Sequence, residues 1–367
     1  MKLAKRFLFF LNVLAITLLC IAYAAPFVDP SFFWPIAFVG LAIPYLIALN
    51  IAFVVLWAAR GNAKLFLSLL TLLLGYKTIP NLVQVDFKQT KAETETFKVL
   101  SFNVRVFDLY LWTKEKKTRN KIFEFLEEED PDILCLQEFY HAEQQDSNYS
   151  FKTLDTLIQF LSAKNYHFHA TTTNKEFYHF GLITFSKFPI LEKGVVPFEN
   201  TTDNASIYTD ININNDTLRI YNNHLASIKL DKYDYKAVQK IKDNEYESGW
   251  ENAQLLLKKI KGGFQTRANQ SKAIRENIGN APYNVIVAGD FNDSPNSFAY
   301  QKIRGPLKDA FVQSGSGFGN TYIGDFPSFR IDYLLHSEEI NSYNYTTHQV
   351  QLSDHQPISA DFSFNKN

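Results

Sequence analysis

Hydrophobic residues are concentrated at the N-terminus of the 367-residue chain. Between Arg6 and Asp29 lie 22 uncharged residues, and between Asp29 and Arg60 lie 30, most of them Leu, Ile, Phe, Val or Ala. A helix crosses the hydrocarbon core of a bilayer with about 20 such residues. The pattern therefore predicts two transmembrane helices within a membrane anchor over residues 1–85.

A third apolar run, between Lys64 and Lys77, contains 12 uncharged residues and is too short to cross a bilayer alone. It crosses if Lys77 snorkels to the interface and the helix continues toward Val85, although Pro80 would kink it. The alternative is a helix that lies in the membrane interface. We favour a third crossing.

The N-terminus also has features of a secretory signal peptide, because Ala22-Tyr23-Ala24 has the small-x-small pattern of a cleavage site. Its apolar stretch is longer than the usual ~7–15 residues, so we expect an uncleaved anchor. A lipoprotein attachment at Cys20 is disfavoured by the large Leu19 before it.

Positive charges predict the orientation of this anchor. Lys2, Lys5 and Arg6 precede the first predicted helix, whereas Arg60 and Lys64 follow the second. The positive-inside rule places both groups in the cytoplasm. With three crossings the rest of the chain is extracytoplasmic, and with two it is cytoplasmic. We expect a multi-pass protein of a bacterial inner (plasma) membrane with the rest of the chain outside the cytoplasm.

Beyond a polar linker at residues 86–96, the segment 97–367 alternates short apolar strands with longer helices. Strands are predicted at 97–102, 133–136, 181–185, 206–213, 218–223, 284–288, 331–336 and 358–364. Helices are predicted at 119–128, 250–261 and 266–277. This alternation indicates a mixed α/β domain with helices covering the faces of its sheets.

Charge separates the two parts of the chain. Residues 1–90 contain seven Lys or Arg and two Asp, whereas residues 91–367 contain 30 basic and 36 acidic residues, a net charge of −6. A protein that relies on nonspecific DNA affinity usually has a basic face, so this composition disfavours a dedicated duplex-DNA binder. Cys20 lies in a predicted membrane helix and Cys135 in a predicted strand, so we expect no intrachain disulfide.

Five polar strings end apolar runs between Ser101 and His355. They read SFN at 101–103, QE at 137–138, NNHL at 222–225, GDFN at 289–292 and SDH at 353–355. Carboxylates, amides and imidazoles delivered from successive strand ends are what a metal-assisted phosphoester hydrolase requires.

Two of these strings contain candidate metal ligands. Glu138 closes a buried strand, where a carboxylate needs a partner, and a hard divalent ion such as Mg²⁺ is a suitable one. Asn103 could give an amide oxygen to the same ion or orient Glu138. Each residue alone could equally be an ordinary strand-end or turn residue. Hard oxygen ligands favour Mg²⁺ or Mn²⁺ over zinc.

The remaining strings contain candidates for acid–base chemistry. Asp290 and Asn292 follow a buried strand at alternating positions, and they could hold a nucleophilic water and a phosphoryl oxygen, although a plain turn would also explain them. Asp332 lies in an apolar strand and needs a partner, for which an imidazole is the natural choice. His224 and His355 are the two histidines, among eight, that lie within these polar strings.

From about Phe97 to Phe364 the chain resembles the endonuclease/exonuclease/phosphatase family, which includes pancreatic deoxyribonuclease, abasic-site endonucleases, neutral sphingomyelinases and inositol polyphosphate 5-phosphatases. The shared motifs occur in the family's order. They are LSFN at 100–103, DILCLQE at 132–138, Gly181 with FSKFPI at 185–190, NNHL, GDFN, RIDY at 330–333 and SDHQP at 353–357.

The resemblance implies a four-layer α/β sandwich, with two packed mixed β-sheets flanked by helices, preceded here by N-terminal transmembrane helices. It also implies a metal site in which Glu138 is the main ligand, supported by Asn103 and Asp354.

The same resemblance implies catalytic roles for five residues. Asp290 and Asn292 would position water and phosphate, and Asp332 would orient His355. His224 would donate a hydrogen bond to the phosphoryl group.

The RIDY motif is similar to the nuclease and sphingomyelinase form, whereas inositol 5-phosphatases typically carry Asp-Arg in the other order. We therefore expect a phosphodiesterase that uses in-line attack by water on a phospholipid headgroup, a nucleic acid or a small phosphodiester. Its partners would be this substrate and the bilayer, with no protein partner. One alternative is a phosphomonoesterase acting on lipid or inositol phosphate headgroups. The other is an inactive membrane-tethered binding module, which is disfavoured because every expected polar position is filled.

Overall fold

The computed structural model describes residues 2–85, 92, 95–113, 117–144, 150–199, 203–228, 249–324 and 328–365. The chain divides into two compact units. The first comprises Met1–Ile79, Ala226–Ser271 and Asn296–Lys302, and the second comprises Pro80–Leu225, Lys272–Pro295 and Ile303–Asn367. Most of the predicted linker 86–96 lies outside the described residues, as does the segment 229–248.

Apolar helices form the N-terminal part of the first unit. They are α1 (Lys2–Ala24), α2 (Pro30–Phe33), α3 (Pro35–Leu41), α4 (Ile43–Ala58) and α5 (Leu65–Leu74). Helix α1 is long and apolar enough to span a membrane, a property that N-terminal signal sequences share. Helices α3 and α4 meet the same criterion only as a pair, and they are bent by 62° at their junction.

The apolar pattern predicts one transmembrane helix over residues 30–59, but the structure has three shorter helices there. Prolines explain these breaks. Pro30 and Pro35 each occupy the first position of a short helix, and Pro44 occupies the second position of α4. Proline has no N–H and is tolerated in the first turn but not in a helix interior. Helix α5 has 10 residues, or about 15 Å, and is shorter than the ~30 Å hydrocarbon core.

Polar side chains connect the apolar helices of this unit. Asn12 of α1 donates from Nδ2 to Ser68 Oγ of α5 at 2.7 Å, and Trp57 of α4 donates from Nε1 to Asn12 Oδ1 at 2.8 Å. These three side chains therefore find hydrogen-bond partners inside an otherwise apolar helix bundle, as in interhelical contacts in membranes.

In the described residues after α5, the structure has twelve strands and further helices. The helices are α6 (Ile79–Leu82), α7 (Thr118–Glu129), α8 (Thr153–Phe160), α9 (Gly249–Gly279), α10 (Phe298–Arg304) and α11 (Ala310–Ser314). The strands are β1 (Phe97–Asn103), β2 (Ile133–Ala142), β3 (Asn165–Asn174), β4 (Tyr178–Ser186), β5 (Ile190–Val195), β6 (Ala205–Ile213), β7 (Asp216–His224), β8 (Asn284–Asp290), β9 (Lys308–Asp309), β10 (Asp332–His336), β11 (Ile340–Thr347) and β12 (Ile358–Phe364).

The strands form two mixed six-stranded sheets. The first has the order β11-β12-β1-β2-β4-β3 and the second the order β5-β6-β7-β8-β10-β9. The pairs β1 with β2 and β7 with β8 are parallel, and the other pairs are antiparallel. Each sheet therefore has one central parallel pair.

The two-residue period of the strands divides the core into layers. On β1, Val99 belongs to an apolar cluster with Ile220 and Ile286 of the second sheet. Leu100 points to the opposite face, where it shares a cluster with Leu126 of α7. The first sheet is thus covered by the second sheet on one face and by helices on the other. This architecture is the predicted four-layer sandwich of two mixed sheets flanked by helices.

The four strands that the apolar pattern failed to predict, β3, β5, β9 and β11, are the four edge strands of the two sheets. Edge strands are half-exposed and carry polar residues, so their sequences lack an apolar run. The two helices predicted at 250–261 and 266–277 form the single helix α9, which continues through Gly262 and Gly263.

Candidate active site

The predicted site residues lie at matching ends of the central strands. In the first sheet, Asn103 of β1 pairs with Gln137 of β2. In the second sheet, Asp290 of β8 pairs with both His224 of β7 and Asp332 of β10. The strand-end residues of the two sheets are in contact, because Asn103 donates from Nδ2 to Asp290 Oδ2 at 3.0 Å. The sandwich therefore brings residues nearly 190 positions apart into contact.

A β-bulge places Glu138 in the site. The register between β2 and β4 shifts between Leu136 and Phe139, and Glu138 has a φ of +50°. Asn103 also donates from Nδ2 to Glu138 Oε1, at 3.2 Å. The side chain of Glu138 is 35% exposed, yet its surroundings desolvate the carboxylate and, together with the negative charge of Asp354, raise its pKa. The surroundings of Glu138 therefore do not fully compensate its negative charge, and a bound cation would stabilise it.

The GDFN string requires glycine at its first position. Gly289 has a φ of +127°, and a Cβ there would lie 2.1 Å from the carbonyl oxygen of Asn223 on the neighbouring strand. The buried Asp290 accepts hydrogen bonds from Asn292, through the backbone N–H at 2.7 Å and through Nδ2 at 3.1 Å. Burial raises the pKa of Asp290 to about 6. The string thus forms a compact turn around one desolvated carboxylate.

His355 and Asp332 form a buried pair. The Nδ1 of His355 lies 3.0 Å from Asp332 Oδ2, and its Nε2 lies 3.7 Å from Asp290 Oδ2. Burial alone would lower the pKa of His355, but the carboxylates of Asp332 and Asp290 raise it well above its ordinary value. One ligand atom from each of these three residues lies within 4.8 Å of the others, a spacing that could hold a metal ion. An imidazole that carries a proton between two carboxylates is a poor metal ligand, so this triad is better suited to proton transfer.

His224 is buried, with 8% of its surface exposed. Its Nε2 lies 3.7 Å from Glu138 Oε1 and 3.9 Å from Asp290 Oδ2, and it has no hydrogen-bond partner among the described residues. Burial lowers the pKa of His224. A buried ring nitrogen without a partner can bind a ligand oxygen placed between these carboxylates.

Arg105 is a site residue that the sequence analysis missed. Its Nε lies 3.3 Å from Asp354 Oδ2, and its guanidinium stacks on the ring of Trp112, with 4.3 Å from Cζ to the ring centroid. Residues 105–108 all have φ values between 44° and 56°, a left-handed turn without glycine. Such conformations cost about 1–2 kcal/mol per residue and concentrate at functional sites. The available signal was a basic residue two positions after the strand-end Asn103.

Tyr322 was also missed. Its ring contacts the His355 ring edge-on, with centroids 5.6 Å apart. It lies in a loop whose sequence offered no signal for such a contact.

The donor set fits a hard divalent cation. Four carboxyl groups, those of Glu138, Asp290, Asp332 and Asp354, face Arg105 and His355, whose pKa its carboxylate neighbours raise. Oxygen ligands with excess negative charge suit Mg²⁺ or Mn²⁺. The amide oxygen of Asn103 accepts the Arg105 N–H at 3.1 Å, so Asn103 presents its NH₂ group to Glu138 in this arrangement. Of the two roles expected for Asn103, this geometry corresponds to orienting Glu138.

Comparison with solved structures shows the fold. An endonuclease/exonuclease/phosphatase from Beutenbergia cavernae is similar with a TM-score of 0.53 at 14% identity, covering 74% of this chain and 72% of that chain. A protein of the same family from Leptotrichia buccalis gives a TM-score of 0.51 at 18% identity, covering 73% and 100%. The human Nocturnin catalytic domain, solved with a bound sulfate anion, gives 0.51 at 16%, covering 76% and 97%.

Sequence comparisons add the family. A family model described as a domain of unknown function matches residues 5–82. No curated protein matches the chain. The model of the Endonuclease/Exonuclease/phosphatase family matches residues 100–355, well over half of the chain. Together with the two-sheet sandwich and the polar residues at its strand ends, this match shows that the chain belongs to the endonuclease/exonuclease/phosphatase family.

Proposed function

We propose that the protein is a membrane-anchored, divalent-metal-dependent phosphodiesterase that uses in-line attack by water. The observation that carries this proposal is the His355–Asp332 pair, whose side chains lie 3.0 Å apart. His355 also faces Asp290, and Asn103 bonds both Asp290 and Glu138. A buried imidazole held by one carboxylate beside a second is an arrangement for moving a proton.

Each of the site residues would have a separate role in the reaction. Asp332 fixes the His355 ring through Nδ1, which leaves Nε2 to exchange a proton with the reacting oxygen. Asp290 and Asn292 position the attacking water and the phosphoryl group. His224 donates from its unpartnered Nε2 to a phosphoryl oxygen. In this displacement the bond from water to phosphorus forms as the bond to the leaving alcohol breaks; the attacking water gives up a proton to the Asp290 carboxylate, and the leaving oxygen gains a proton from His355 Nε2.

Glu138 would be the main ligand of Mg²⁺ or Mn²⁺, with support from Asn103 and Asp354. The bound ion would supply Lewis-acid stabilisation of the charge that develops on the phosphoryl oxygens. The excess of carboxylates around Glu138, and its raised pKa, support a cation at this position. Ligation by the Asn103 oxygen would require its amide to rotate away from the Arg105 N–H.

The proposed organisation is a membrane anchor at 1–85, a linker at 86–96 and a catalytic domain at 97–367. The apolar α1 and the paired α3 and α4 support membrane association. The charges of Lys2, Lys5 and Arg6, with those of Arg60 and Lys64, support a multi-pass anchor in a bacterial inner membrane with the catalytic domain outside the cytoplasm.

Hydrolysis by the full chain in detergent tests the proposed function. We expect bis-p-nitrophenyl phosphate to be cleaved faster than p-nitrophenyl phosphate, with Mg²⁺ or Mn²⁺ required and activity abolished by EDTA. A panel of DNA, RNA and phospholipids then identifies the class of diester. Asp290→Asn is the matched control, because it removes the charge at nearly constant shape. Equal rates for the wild type and this variant would exclude the site, and faster cleavage of the monoester would favour a phosphomonoesterase.

A further inference from the structure

A strained turn between β1 and α7 leaves three consecutive apolar side chains exposed. Residues 105–108 and Leu111 have φ values between 44° and 56°. Non-glycine residues rarely adopt this conformation, and such outliers concentrate at functional sites. Beyond the turn, Tyr110, Leu111 and Trp112 are 62%, 44% and 44% exposed. Neighbouring exposed apolar residues mark a binding surface, so the turn presents a candidate one.

The turn is fixed to the strand that carries Glu138. The ring of the buried Phe107 packs edge-on against the ring of Phe139, with centroids 5.6 Å apart, and Phe139 directly follows Glu138. At the other end of the turn, Asp108 Oδ1 accepts the backbone N–H of Thr113 at 3.2 Å. Burial of the aromatic ring offsets the backbone strain. The exposed side chains therefore have a defined position beside the candidate site.

Arg105 connects the exposed rings to the site carboxylates. Its Nε lies 3.3 Å from Asp354 Oδ2, and its Cζ lies 4.3 Å from the centroid of the Trp112 ring. The ring of Tyr110 meets that of Trp112 edge-on, with centroids 5.0 Å apart. A guanidinium has five N–H donors and binds phosphate oxygens well, and the Arg105 side chain is 32% exposed. A phosphate-binding group and two aromatic rings are therefore adjacent at the edge of the site.

We propose that Arg105, Tyr110 and Trp112 form a substrate subsite that selects phosphodiesters with an aromatic or apolar alcohol group. Arg105 binds a phosphoryl oxygen, and the two rings contact the alcohol group beside it. Apolar walls with a few placed polar groups are typical of small-ligand sites. This inference rests on the proposed function, because it names the substrate class of the same site.

Binding of two phosphodiesters to the full chain in detergent tests the subsite without hydrolysis. By titration calorimetry we expect diphenyl phosphate to bind about three- to tenfold more tightly than dimethyl phosphate, because only the former offers rings for Trp112. Trp112→Ala should remove this preference. Arg105→Gln should weaken both ligands alike, because the phosphate is common to them.

Tyr283→Ala is the matched control for the loss of an exposed aromatic ring. Tyr283 is 42% exposed and immediately precedes β8, at the opposite end of that strand from Asp290. We expect this variant to keep the wild-type preference. If Trp112→Ala lowers the Tm by more than a few degrees, Tyr110→Ala replaces it, because the Tyr110 ring is the more exposed of the two.

Kinetics on bis-p-nitrophenyl phosphate, whose two alcohol groups are aromatic, test whether the subsite serves the reaction. We expect Trp112→Ala to raise KM by about three- to tenfold with little change in kcat, because the rings bind the ground state and the transition state alike. An unchanged KM would overturn the role in substrate binding.

The binding data decide the inference independently of activity. A wild type without a preference for diphenyl phosphate, or a preference that survives in Trp112→Ala, would overturn the subsite. An equal loss in Tyr283→Ala would show nonspecific binding and would also overturn it. A preference that Trp112→Ala removes, in a protein that hydrolyses no diester, would uphold the subsite and reject the proposed function.

Discussion

Each polar residue of the candidate site is placed by a local rule of strand geometry. Asn103 lies on β1 two periods beyond Val99, and Asp290 lies on β8 one period beyond Ala288, so both continue the strand face that forms the shared core. Burying these groups is costly unless they bind one another, so Asn103 satisfies Glu138 and Asp290 together. The same desolvation raises the pKa values of Glu138 and Asp290, and shifted pKa values of this kind are common at functional sites.

Replacing Glu138 by Gln should abolish metal-dependent turnover while leaving the fold intact. The variant removes one negative charge from the proposed ion site, keeps the shape, and can still contact Asn103. We expect kcat to fall by about a hundredfold or more at saturating Mg²⁺, with a Tm within a few degrees of the wild type. Rates measured across a Mg²⁺ titration and in EDTA provide the check. Wild-type turnover by Glu138→Gln in EDTA would exclude the metal mechanism.

His355→Ala and His224→Ala should each lose at least about a hundredfold in kcat, because positioned acid–base groups typically contribute 10²–10⁴-fold. His169→Ala is the control, since His169 lies on the edge strand β3 and outside the site. Far-ultraviolet circular dichroism confirms that each variant is folded before rates are compared. Losses below threefold for both site variants would contradict their assigned roles.

His336 should make the protein less stable in mild acid. It is fully buried, its ring nitrogens contact the Ser337 carbonyl at 2.9 Å and Gln313 Oε1 at 2.8 Å, and burial lowers its pKa from 6.5 to about 4. Between these values the unfolded chain binds a proton that the folded chain does not. The stabilisation is therefore complete above pH 6.5 and is lost as the pH falls toward 4.

For this one group the loss between pH 7 and pH 5 is about 2 kcal/mol. Unfolding of the wild type and of His336→Gln at both pH values measures it. The variant should be less stable at pH 7 but lose less on acidification. Identical pH dependence in the two proteins would show that His336 does not titrate as described.

Among the strands, the apolar pattern predicts those in the centre of each sheet and misses those at the edges. Strands β1, β2, β7, β8 and β12 are buried along most of their length and carry apolar residues in runs or at alternating positions, so their positions follow from the sequence. The edge strand β11 reads INSYNYTT and has no such run.

The candidate site follows the same logic. Residues at the ends of central strands were identified, because an apolar run that stops at a polar residue is visible in the sequence. Arg105 and Tyr322 reach the site through a left-handed turn and a loop, whose conformations depend on tertiary contacts. The bulge at Glu138 is likewise a property of the pairing between β2 and β4.

Gly289 and Gly262 should respond in opposite ways to alanine. At Gly289 the φ of +127° and the 2.1 Å approach to Asn223 leave no room for a Cβ, so Gly289→Ala should cost roughly 2 kcal/mol or more and lower activity by displacing Asp290. Gly262 lies within α9 with nothing within 4 Å of its Cβ position, so Gly262→Ala should stabilise by about 0.5–1 kcal/mol. Thermal unfolding and the rate on bis-p-nitrophenyl phosphate check both. A stable, active Gly289→Ala would contradict the close approach.

The whole molecule combines an apolar N-terminal part with a polar, acidic remainder, and these two parts suit different environments. The N-terminal helices expose large apolar side chains such as Leu3, Phe7 and Phe32. Exposed apolar surface of this extent marks a membrane or protein contact. The acidic remainder contains the hydrolase fold of the family. A phosphodiesterase held at a membrane would act on substrates that reach that surface, so the side on which it lies determines which diesters it meets.

We predict that the catalytic domain lies outside the cytoplasm. The basic groups at Lys2–Arg6 and at Arg60–Lys64 should both be cytoplasmic, and a third crossing by the segment after Lys64 would carry the chain out again. Because α5 alone is about 15 Å long, this crossing would require the residues after Leu74 or a locally thinned bilayer.

Two fusions after Thr90 decide the orientation, one to alkaline phosphatase, which is active only outside the cytoplasm, and one to green fluorescent protein, which fluoresces inside it. We expect an active phosphatase fusion and a dark fluorescent one. Fusions after Asn62, in the loop between the two basic residues, provide the opposite control. A fluorescent Thr90 fusion with an inactive phosphatase would place the domain in the cytoplasm. It would also remove the third crossing, and intracellular phosphodiesters would then become the substrates to test.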